Sequence, residues 1–349
     1  MATSAKKVRI APATTTNWVT LPGNTADFQA DADMLDDTVF GHPFKSMQPD
    51  IISWSMSSNA IYKGYSGYQA IIKKTGAATT MTDEPMSNIV ALGSQVYEIT
   101  DTTKRLIHVG TTVVVKDNGV DHTADVLNID FLFGRVTFNT GYVVSGPVVI
   151  TGAYLPASQI CAMNKYSLSQ QAEAVDETDL CVAQTNSGFR QYKMGLKTVS
   201  LELSGFYRAT SAFLTSLKAR DHLMIEINPD GNSKSVARGF FVPKSDKQSG
   251  KVGALEEESV SFDLWVPDNA LLHEPFGWVH NSTTTLNQGV RTLLEAWETG
   301  SLVEARYLED GLTGKQGSAV PTNVSLAGGL GALNEFSVQL KGSGGITNV

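Results

Sequence analysis

The chain has 349 residues, of which 42% are apolar and 18% are charged, so it holds enough apolar material for two or three domain cores. This composition excludes a wholly disordered chain, and no apolar run approaches the ~20 residues that span a bilayer. Lysine and arginine number 27 against 35 aspartates and glutamates, a net charge of −8, which argues against a surface devoted to binding nucleic-acid phosphates.

The N-terminal residues and the two cysteines are the first features along the chain. Residues 1–10 run into Ala-Pro-Ala-Thr-Thr-Thr instead of an apolar stretch, so we expect no secretory signal. Cys161 and Cys181 are too few for a disulfide framework and have no metal-motif spacing. We expect both to be reduced, small apolar residues.

An acidic segment and an alternating strand come next. We predict that the acidic segment is a loop, containing Asp27, Asp31, Asp33, Asp36 and Asp37. It lacks the glycine and the final glutamate of a calcium-binding loop at the required offsets, so no metal site is predicted. The strand after it alternates apolar and serine positions: Ile52, Ser53, Trp54, Ser55, Met56 and Ser57. A period of two predicts one packed face and one face in water.

Residues 86–156 contain several short strand-like runs separated by turns. Asn118-Gly119 lies between two β-branched runs, which is a strong hairpin signal, and Pro156 ends the segment. We predict a separate small all-β module here.

The strongest pattern is an internal repeat. Val242-Pro243, nine residues and then Gly253-Ala254-Leu255 match Val320-Pro321, nine residues and then Gly331-Ala332-Leu333, at an offset of 78. Each copy is preceded by a strand that runs into an Asp-Gly turn, and before that by a short helical pattern. The pattern therefore predicts the same order in each copy: a helix, a strand, a turn and two further strands.

A fainter repeat relates residues 36–62 to residues 176–207, and it predicts a nested duplication. We predict a first domain made of residues 1–80 and 271–349, an inserted all-β module at 86–156, and a second domain at 157–270. The fold class is mainly β, with two β-sandwich or barrel domains that each carry a short flanking helix. Insertions of this kind are tolerated at exposed loop tips.

The wet faces of the alternating strands carry hydroxyl, amide and carboxylate groups. They comprise Ser53, Ser55, Ser57, Ser200, Glu202, Ser261, Asp263, Ser337 and Gln339. Such a face suits a sheet that lines an aqueous passage, but the pattern alone favours an ordinary solvent-exposed face.

The segment 317–346, GSAVPTNVSLAGGLGALNEFSVQLKGSGGI, resembles the major tail proteins that build bacteriophage tail tubes. The resemblance covers both repeat units, roughly 230 residues, and excludes the inserted module. It implies a β-sandwich with one flanking helix, rings whose inner sheets join into a continuous barrel, and rings stacked into a tube. Single-unit members form rings of six, so two units per chain imply a trimeric ring with pseudo-sixfold symmetry.

The resemblance also implies a role and partners. The chain would be a structural virion protein without enzymatic activity or cofactor, assembled in the host cytoplasm and located in the virion tail. Its partners would be itself, the tape-measure protein, the tail terminator and baseplate-side tail proteins, with DNA passing through the lumen without specific binding. The wet-face residues above would face the lumen, and the five aspartates of the acidic segment would contact the next ring.

Two other functional classes remain open from the residues. A virion adhesin or carbohydrate-binding module could use exposed aromatics of the inserted module: Tyr97, Phe131, Phe133, Tyr142 and Tyr154. An enzyme has no motif in its favour. His273-Glu274 and His280 lack zinc-protease spacing, and Gly311–Gln316 predicts a hairpin turn instead of a phosphate loop.

Overall fold

The computed structural model describes residues 6–13, 17–21, 23, 25–38, 45–62, 69–89, 95–206, 213–229, 235–250, 256–266, 274–280, 288–329 and 334–349. Over these residues the chain is mainly β, as predicted.

The strands before the inserted module are β1 (Lys7–Pro12), β2 (Val19–Thr20), β3 (Thr25–Asp36), β4 (Met47–Tyr62) and β5 (Gln69–Thr75). Those of the module are β6 (Thr79–Asn88), β7 (Val96–Ile99), β8 (Val114–Asp117), β9 (Val120–Asp121), β10 (Val126–Asp130), β11 (Arg135–Phe138) and β12 (Val148–Tyr154). Two short 3-10 turns, Thr102–Lys104 and Thr123–Asp125, lie between them.

After the module come β13 (Ala157–Met163), β14 (Lys165–Asp176), α1 (Leu180–Thr185), β15 (Tyr192–Phe206), α2 (Phe213–Ala219), β16 (Leu223–Asn228), β17 (Ser235–Ser249), β18 (Glu257–Leu264) and β19 (Phe276–His280). The chain continues through α3 (Gln288–Thr299), β20 (Val303–Leu308), β21 (Gly314–Gly329), β22 (Asn334–Gly342) and β23 (Thr347–Asn348). The predicted repeat helices correspond to α2 and α3.

The strands form one 16-stranded sheet and one 7-stranded sheet. Within the large sheet, one set of strands pairs in the order β2-β1-β20-β21-β22-β4-β3, with β23 on β21. A second set pairs in the order β13-β5-β16-β17-β18-β15-β14, with β19 on β17. These two sets, here called the first and second units, have the same strand order.

The two units also share their irregularities. The β17–β18 ladder shifts register between Pro243 and Ser245, and the β21–β22 ladder shifts between Pro321 and Asn323. A proline cannot donate a hydrogen bond to a ladder, so a bulge at both prolines has a direct cause. The β3–β4 and β14–β15 ladders shift at Ala32 and Ala172, which are also equivalent positions. The structure therefore repeats at the level of single residues.

Strand β5 pairs with β16 and β13, as β1 pairs with β20 and β2. The sequence pattern predicts that residues 69–75 belong to the first domain. We propose instead that β5 belongs to the second unit, because its pairing repeats that of β1. The local sequence gives no sign of this, since β5 meets β16 across about 150 residues of chain.

Each unit has two layers that pack through a shared core. In the second unit, Leu201 and Phe262 point into this core from one layer, and Ile72 and Ile225 point into it from the other. Helix α3 packs on the first unit and presents Val290, Leu293, Leu294 and Trp297 as a buried stripe at helical spacing.

The 7-stranded sheet is the inserted module, in the order β10-β11-β7-β6-β12-β8-β9, with its own core. It interrupts the β5–β13 hairpin, where the backbone of Gly76 donates to the Pro156 carbonyl at 2.8 Å. The predicted turn is confirmed, since Asn118 and Gly119 have φ values of 51° and 80° between β8 and β9.

Candidate assembly surface

The two units meet edge to edge at one strand pair. Residues 165–171 of β14 pair antiparallel with residues 323–329 of β21, with Leu168 opposite Leu326 and Ser169 opposite Ser325. Both leucines are buried in the shared core. We call this pairing the internal junction.

The internal junction makes eight strands continuous, in the order β3-β4-β22-β21-β14-β15-β18-β17. Directly opposed residues in antiparallel strands point to the same face, so the registers define one face across all eight strands. Its members are alternate residues of 25–31, 53–59, 335–341, 323–327, 165–171, 198–204, 257–263 and 245–249. We call this the polar face.

The polar face has almost no apolar content. Of these 30 positions, only Ala327 carries an apolar side chain, and none is buried. Two apolar residues, Ile61 and Phe206, pair with Glu335 and Glu257 where the face ends. The intervening residues, such as Leu168, Leu201 and Val338, form the core on the opposite side. The face is therefore built to contact water and not a packed layer.

All nine predicted wet-face residues lie on the polar face: Ser53, Ser55, Ser57, Ser200, Glu202, Ser261, Asp263, Ser337 and Gln339. These nine residues belong to four separate strands, β4, β15, β18 and β22. The pairing of β4 with β22 and of β15 with β18 brings them onto one surface.

Sequence reasoning missed the members on β14 and β21, such as Ser167, Ser169 and Ser325. They alternate with Leu168 and Leu326, so the signal was present as a period of two. These residues matter because they make the polar face continuous between the units.

Charges on the polar face are few. Six carboxylates (Asp27, Asp31, Glu202, Glu257, Asp263 and Glu335) stand against three lysines (Lys165, Lys247 and Lys341). Ser259 Oγ donates to Glu202 Oε1 at 3.0 Å, and Lys244 Nζ lies 3.0 Å from Asp263 Oδ2 at the edge of this face. The carboxylate excess disfavours retention of phosphate groups.

The predicted acidic loop is mostly a strand. Asp27, Asp31, Asp33 and Asp36 lie within β3, and Asp37 follows its end. The loop prediction was wrong because aspartate is generally depleted in strands, but β3 is an edge strand whose second half is exposed, so its carboxylates stay hydrated.

The five aspartates have different surroundings. Asp27 and Asp31 belong to the polar face, whereas Asp33 pairs with Arg190, which also pairs with Asp176 of β14. Hydrogen bonds from Thr38, with the nearby ammonium of Lys45, lower the pKa of Asp36. Their contact with a neighbouring ring stays a prediction.

The aromatics of the inserted module pack inward. Tyr97, Phe131, Tyr142 and Tyr154 pack against the buried core of the module. Phe133 is buried in a third cluster with Met224 of β16 and Val279 of β19. This placement does not provide an exposed aromatic platform.

Two ion-pair triads, one within the second unit and one within the module, line a cavity of about 380 Å³ between them. In one triad Glu226 pairs with Lys73 at 2.7 Å and with Arg238 at 2.5 Å. In the other, Glu98 pairs with Arg105 at 2.5 Å and with Arg135 at 2.8 Å. Burial tends to raise the pKa of Glu226, but Arg238 and Lys73 outweigh it and lower the pKa.

A second cavity, of about 480 Å³, lies between the module, β19 and α3. Burial raises the pKa of Glu298 to about 8, opposed by the backbone N–H of Trp278, which donates to Glu298 Oε1 at 2.5 Å. Asp130, across this cavity, also has a pKa raised by burial. Burial therefore shifts the pKa of both carboxyls upward.

The module contacts the side of the second unit that faces away from the polar face. Lys73, Glu226 and Arg238 line the cavity beside the module, and Arg238 donates to the carbonyl of Leu132. The alternating Ile72, Ile225 and Ala237 point into the core. The polar face lies beyond that core, on the other layer. The module thus leaves the polar face of its own chain uncovered.

Among the described residues, no group of three or more His, Cys, Asp or Glu side chains is placed to hold a metal ion. No helix in the described ranges is both long and apolar enough to cross a membrane. Cys181 is an exposed free thiol, and the side chain of Cys161 lies outside the description.

The residues that superficially resemble a zinc-protease motif and a phosphate loop have structural roles, as far as the structure describes them. His280 is buried beside Ser235, with its Nδ1 3.1 Å from Ser235 Oγ, and His273 lies outside the described residues. Asp310 accepts from the backbone of Leu312 and Thr313 in the β20–β21 turn, which confirms the predicted hairpin.

No family model matches the chain, and no curated protein matches it. Among solved structures, it is similar to a chain in the virion of a native gene transfer agent particle. The identity is 16% and the TM-score 0.27, over 31% of this chain and 84% of that chain.

A second similar structure is the tail of an empty gene transfer agent particle, solved by helical refinement with C6 symmetry. The identity is 17% and the TM-score 0.26, over 32% of this chain and 82% of that chain. Values this low establish no functional relation.

Proposed function

We propose that the chain is a structural protein of a phage-like tail, which assembles with copies of itself into rings that stack as a tube. The observation that carries this proposal is the eight-stranded continuous sheet. Two equivalent sets of four strands are joined by the internal junction, and they present one polar face. A unit that joins a copy of itself within one chain has a geometry that further copies can repeat.

In the proposed assembly, three chains supply six units to each ring. This number follows from the resemblance to tail tube proteins, whose single-unit members form rings of six. The polar face lines the channel, and 24 strands, eight from each chain, form its wall. Closed symmetry within a ring and head-to-tail contacts between rings then produce a tube.

The chemistry of the polar face suits a DNA conduit. Its hydroxyl and amide groups are wetted readily, and its carboxylates outnumber its lysines, so passing DNA finds no row of cationic phosphate contacts. The inserted module lies on the outside of the tube, because it packs on the layer opposite the polar face.

The remaining partners follow from the resemblance alone. They are a tape-measure protein, a tail terminator and baseplate-side proteins, with the tube located in the virion tail. No catalytic step is part of the proposal. The adhesin alternative loses its basis, since four of its aromatic residues pack against the core of the module and Phe133 is buried.

Negative-stain electron microscopy of the purified protein at increasing concentration tests the proposal. Hollow rings or tubes with a sixfold outline are the expected result. Leu127→Ser, on an exposed position of the inserted module, is a matched control and should assemble like the parent chain. Monomers at every concentration, with and without tail extract as an initiator, would contradict the proposal.

A further inference from the structure

Among the described residues, the eight-stranded sheet that carries the polar face has one open strand edge at each of its two ends. Strand β3 pairs only with β4, so its other edge is open. Residues 245–249 of β17 pair with β18 on one side and with no described strand on the other. Open edges of this length are templates for pairing with another chain.

The duplication identifies what these edges correspond to. β3 is equivalent to β14, because Phe28 lies opposite Met56 as Leu168 lies opposite Leu201. Residues 245–249 are equivalent to 323–327, because they follow the same proline bulge. The two open edges are therefore the counterparts of the two strands that form the internal junction.

We infer that β3 of one copy pairs antiparallel with residues 245–250 of β17 in a second copy, in the register of the internal junction. This inference rests on the proposed function and specifies the contact that closes the ring. Transferring the register places Asp27 opposite Ser249, Gln29 opposite Lys247 and Asp31 opposite Ser245.

The charges on the two edges are complementary in this register. Lys247 lies on the same face as Asp27 and Asp31 and diagonal to both, one on each side, within reach of its long side chain. All three side chains are exposed in the single chain. A slip of two residues would move Lys247 away from one of the two carboxylates.

Burial differs between the internal junction and the open edges. Leu168 and Gln170 are fully buried in the internal junction. Of their equivalents on β3, Phe28 is half-buried and Ala30 is exposed. A second copy would cover these positions. Gln248 stands where the internal junction has Leu326, so the contact between copies is more polar, which keeps the single chain soluble before assembly.

Disulfide trapping tests the register. Asp27→Cys with Ser249→Cys, in a chain whose Cys161 and Cys181 are replaced by serine, should give covalent dimers and trimers on oxidation of assembled rings. Asp27→Cys with Ser245→Cys is the matched control. It removes the same carboxylate but places the thiols four residues out of register, roughly 13 Å apart, so it should give at least tenfold less cross-linked product.

Ser167→Cys with Ala327→Cys is the positive control, because these residues are opposed in the internal junction. It should form a disulfide within one chain. Rings that form without the Asp27–Ser249 cross-link, while the positive control oxidises, would overturn the inferred register and leave the proposed function standing. Failure of the parent chain to form rings would overturn both. If the double-cysteine chain does not fold, mixing two single-cysteine chains during assembly gives the same readout.

Discussion

Pro243 and Pro321 lie at the same bulge in the two units, 78 residues apart in the chain. Each follows a valine and precedes the segment that either forms the internal junction or remains open. The shared bulge sets the course of both segments. It lets one long strand pair first in the layer away from the polar face, with β16 or β20, and then in the layer that carries the polar face, with β18 or β22. The same local chemistry thus creates one junction within the chain and offers a second between chains.

The contact between copies depends on Lys247. Lys247→Glu places a third carboxylate between Asp27 and Asp31, so we expect the concentration needed for assembly to rise roughly fivefold or more. Sedimentation at low salt measures this concentration. Lys218→Glu makes the same charge change on the exposed surface of α2 and should have no effect. If both variants assemble at the same concentration, Lys247 is not part of the contact.

The polar face should determine how assembled tubes treat DNA. Glu202→Lys with Asp263→Lys reverses two exposed carboxylates of this face, so tubes should assemble but retain short duplex DNA at low salt. Retention is measured by co-sedimentation and should fall as salt rises. Glu295→Lys with Glu309→Lys, an equal charge change on exposed positions of α3 and the β20–β21 turn, is the control. DNA retained equally by both would mean that the polar face does not line the channel.

Glu298 makes stability depend on pH. Its pKa is raised from 4.5 to about 8 in the folded state, so folding takes up a proton between these values. The contribution of Glu298 to stability is therefore full below about pH 4.5 and is lost as the pH rises towards about 8. Glu298→Gln removes this loss and should raise stability at pH 8 by about 1–3 kcal/mol, with little change at pH 5.

Urea unfolding at the two pH values measures the effect of Glu298→Gln. The control is Glu295→Gln, an exposed position on the same helix, whose charge is only a minor cause of the raised pKa of Glu298, so it should change the pH profile much less than Glu298→Gln does. An equal gain at both pH values would show that the carboxyl of Glu298 is not the titrating group.

Trp54 requires small neighbours. It is fully buried, and its Nε1 donates to the carbonyl of Gly344 at 3.0 Å. A Cβ at Gly342 would lie 2.0 Å from the indole ring, so Gly342→Ala should destabilise the fold by about 1–3 kcal/mol. Gly345→Ala, whose Cβ would meet nothing nearer than 3.7 Å, should be close to neutral in thermal unfolding. Two neutral variants would show that the indole can move aside.

The sequence predicted the features that depend on residues close together in the chain. The Val-Pro repeat, the helical spacing of Leu293 and Trp297 and the turn at Asn118-Gly119 all depend on neighbours a few residues apart. The period of two in β4, β15, β18 and β22 likewise identified the outward residues of the polar face. These signals needed no knowledge of which strand pairs with which.

The missed features depend on pairing across long stretches of chain. β5 joins β16, and β14 joins β21, through contacts that no local pattern encodes. The acidic β3 was misread because propensity describes an average strand, whereas an open edge keeps Asp27 and Asp31 in water.

Electron cryomicroscopy of the assembled protein, viewed along the channel, tests the central claim most directly. We predict three chains per ring and a continuous inner wall to which each chain contributes eight strands. The polar face should point into the channel, with the inserted modules on the outside. A ring whose channel is lined by the inserted modules, or whose polar face points outward, would contradict this account.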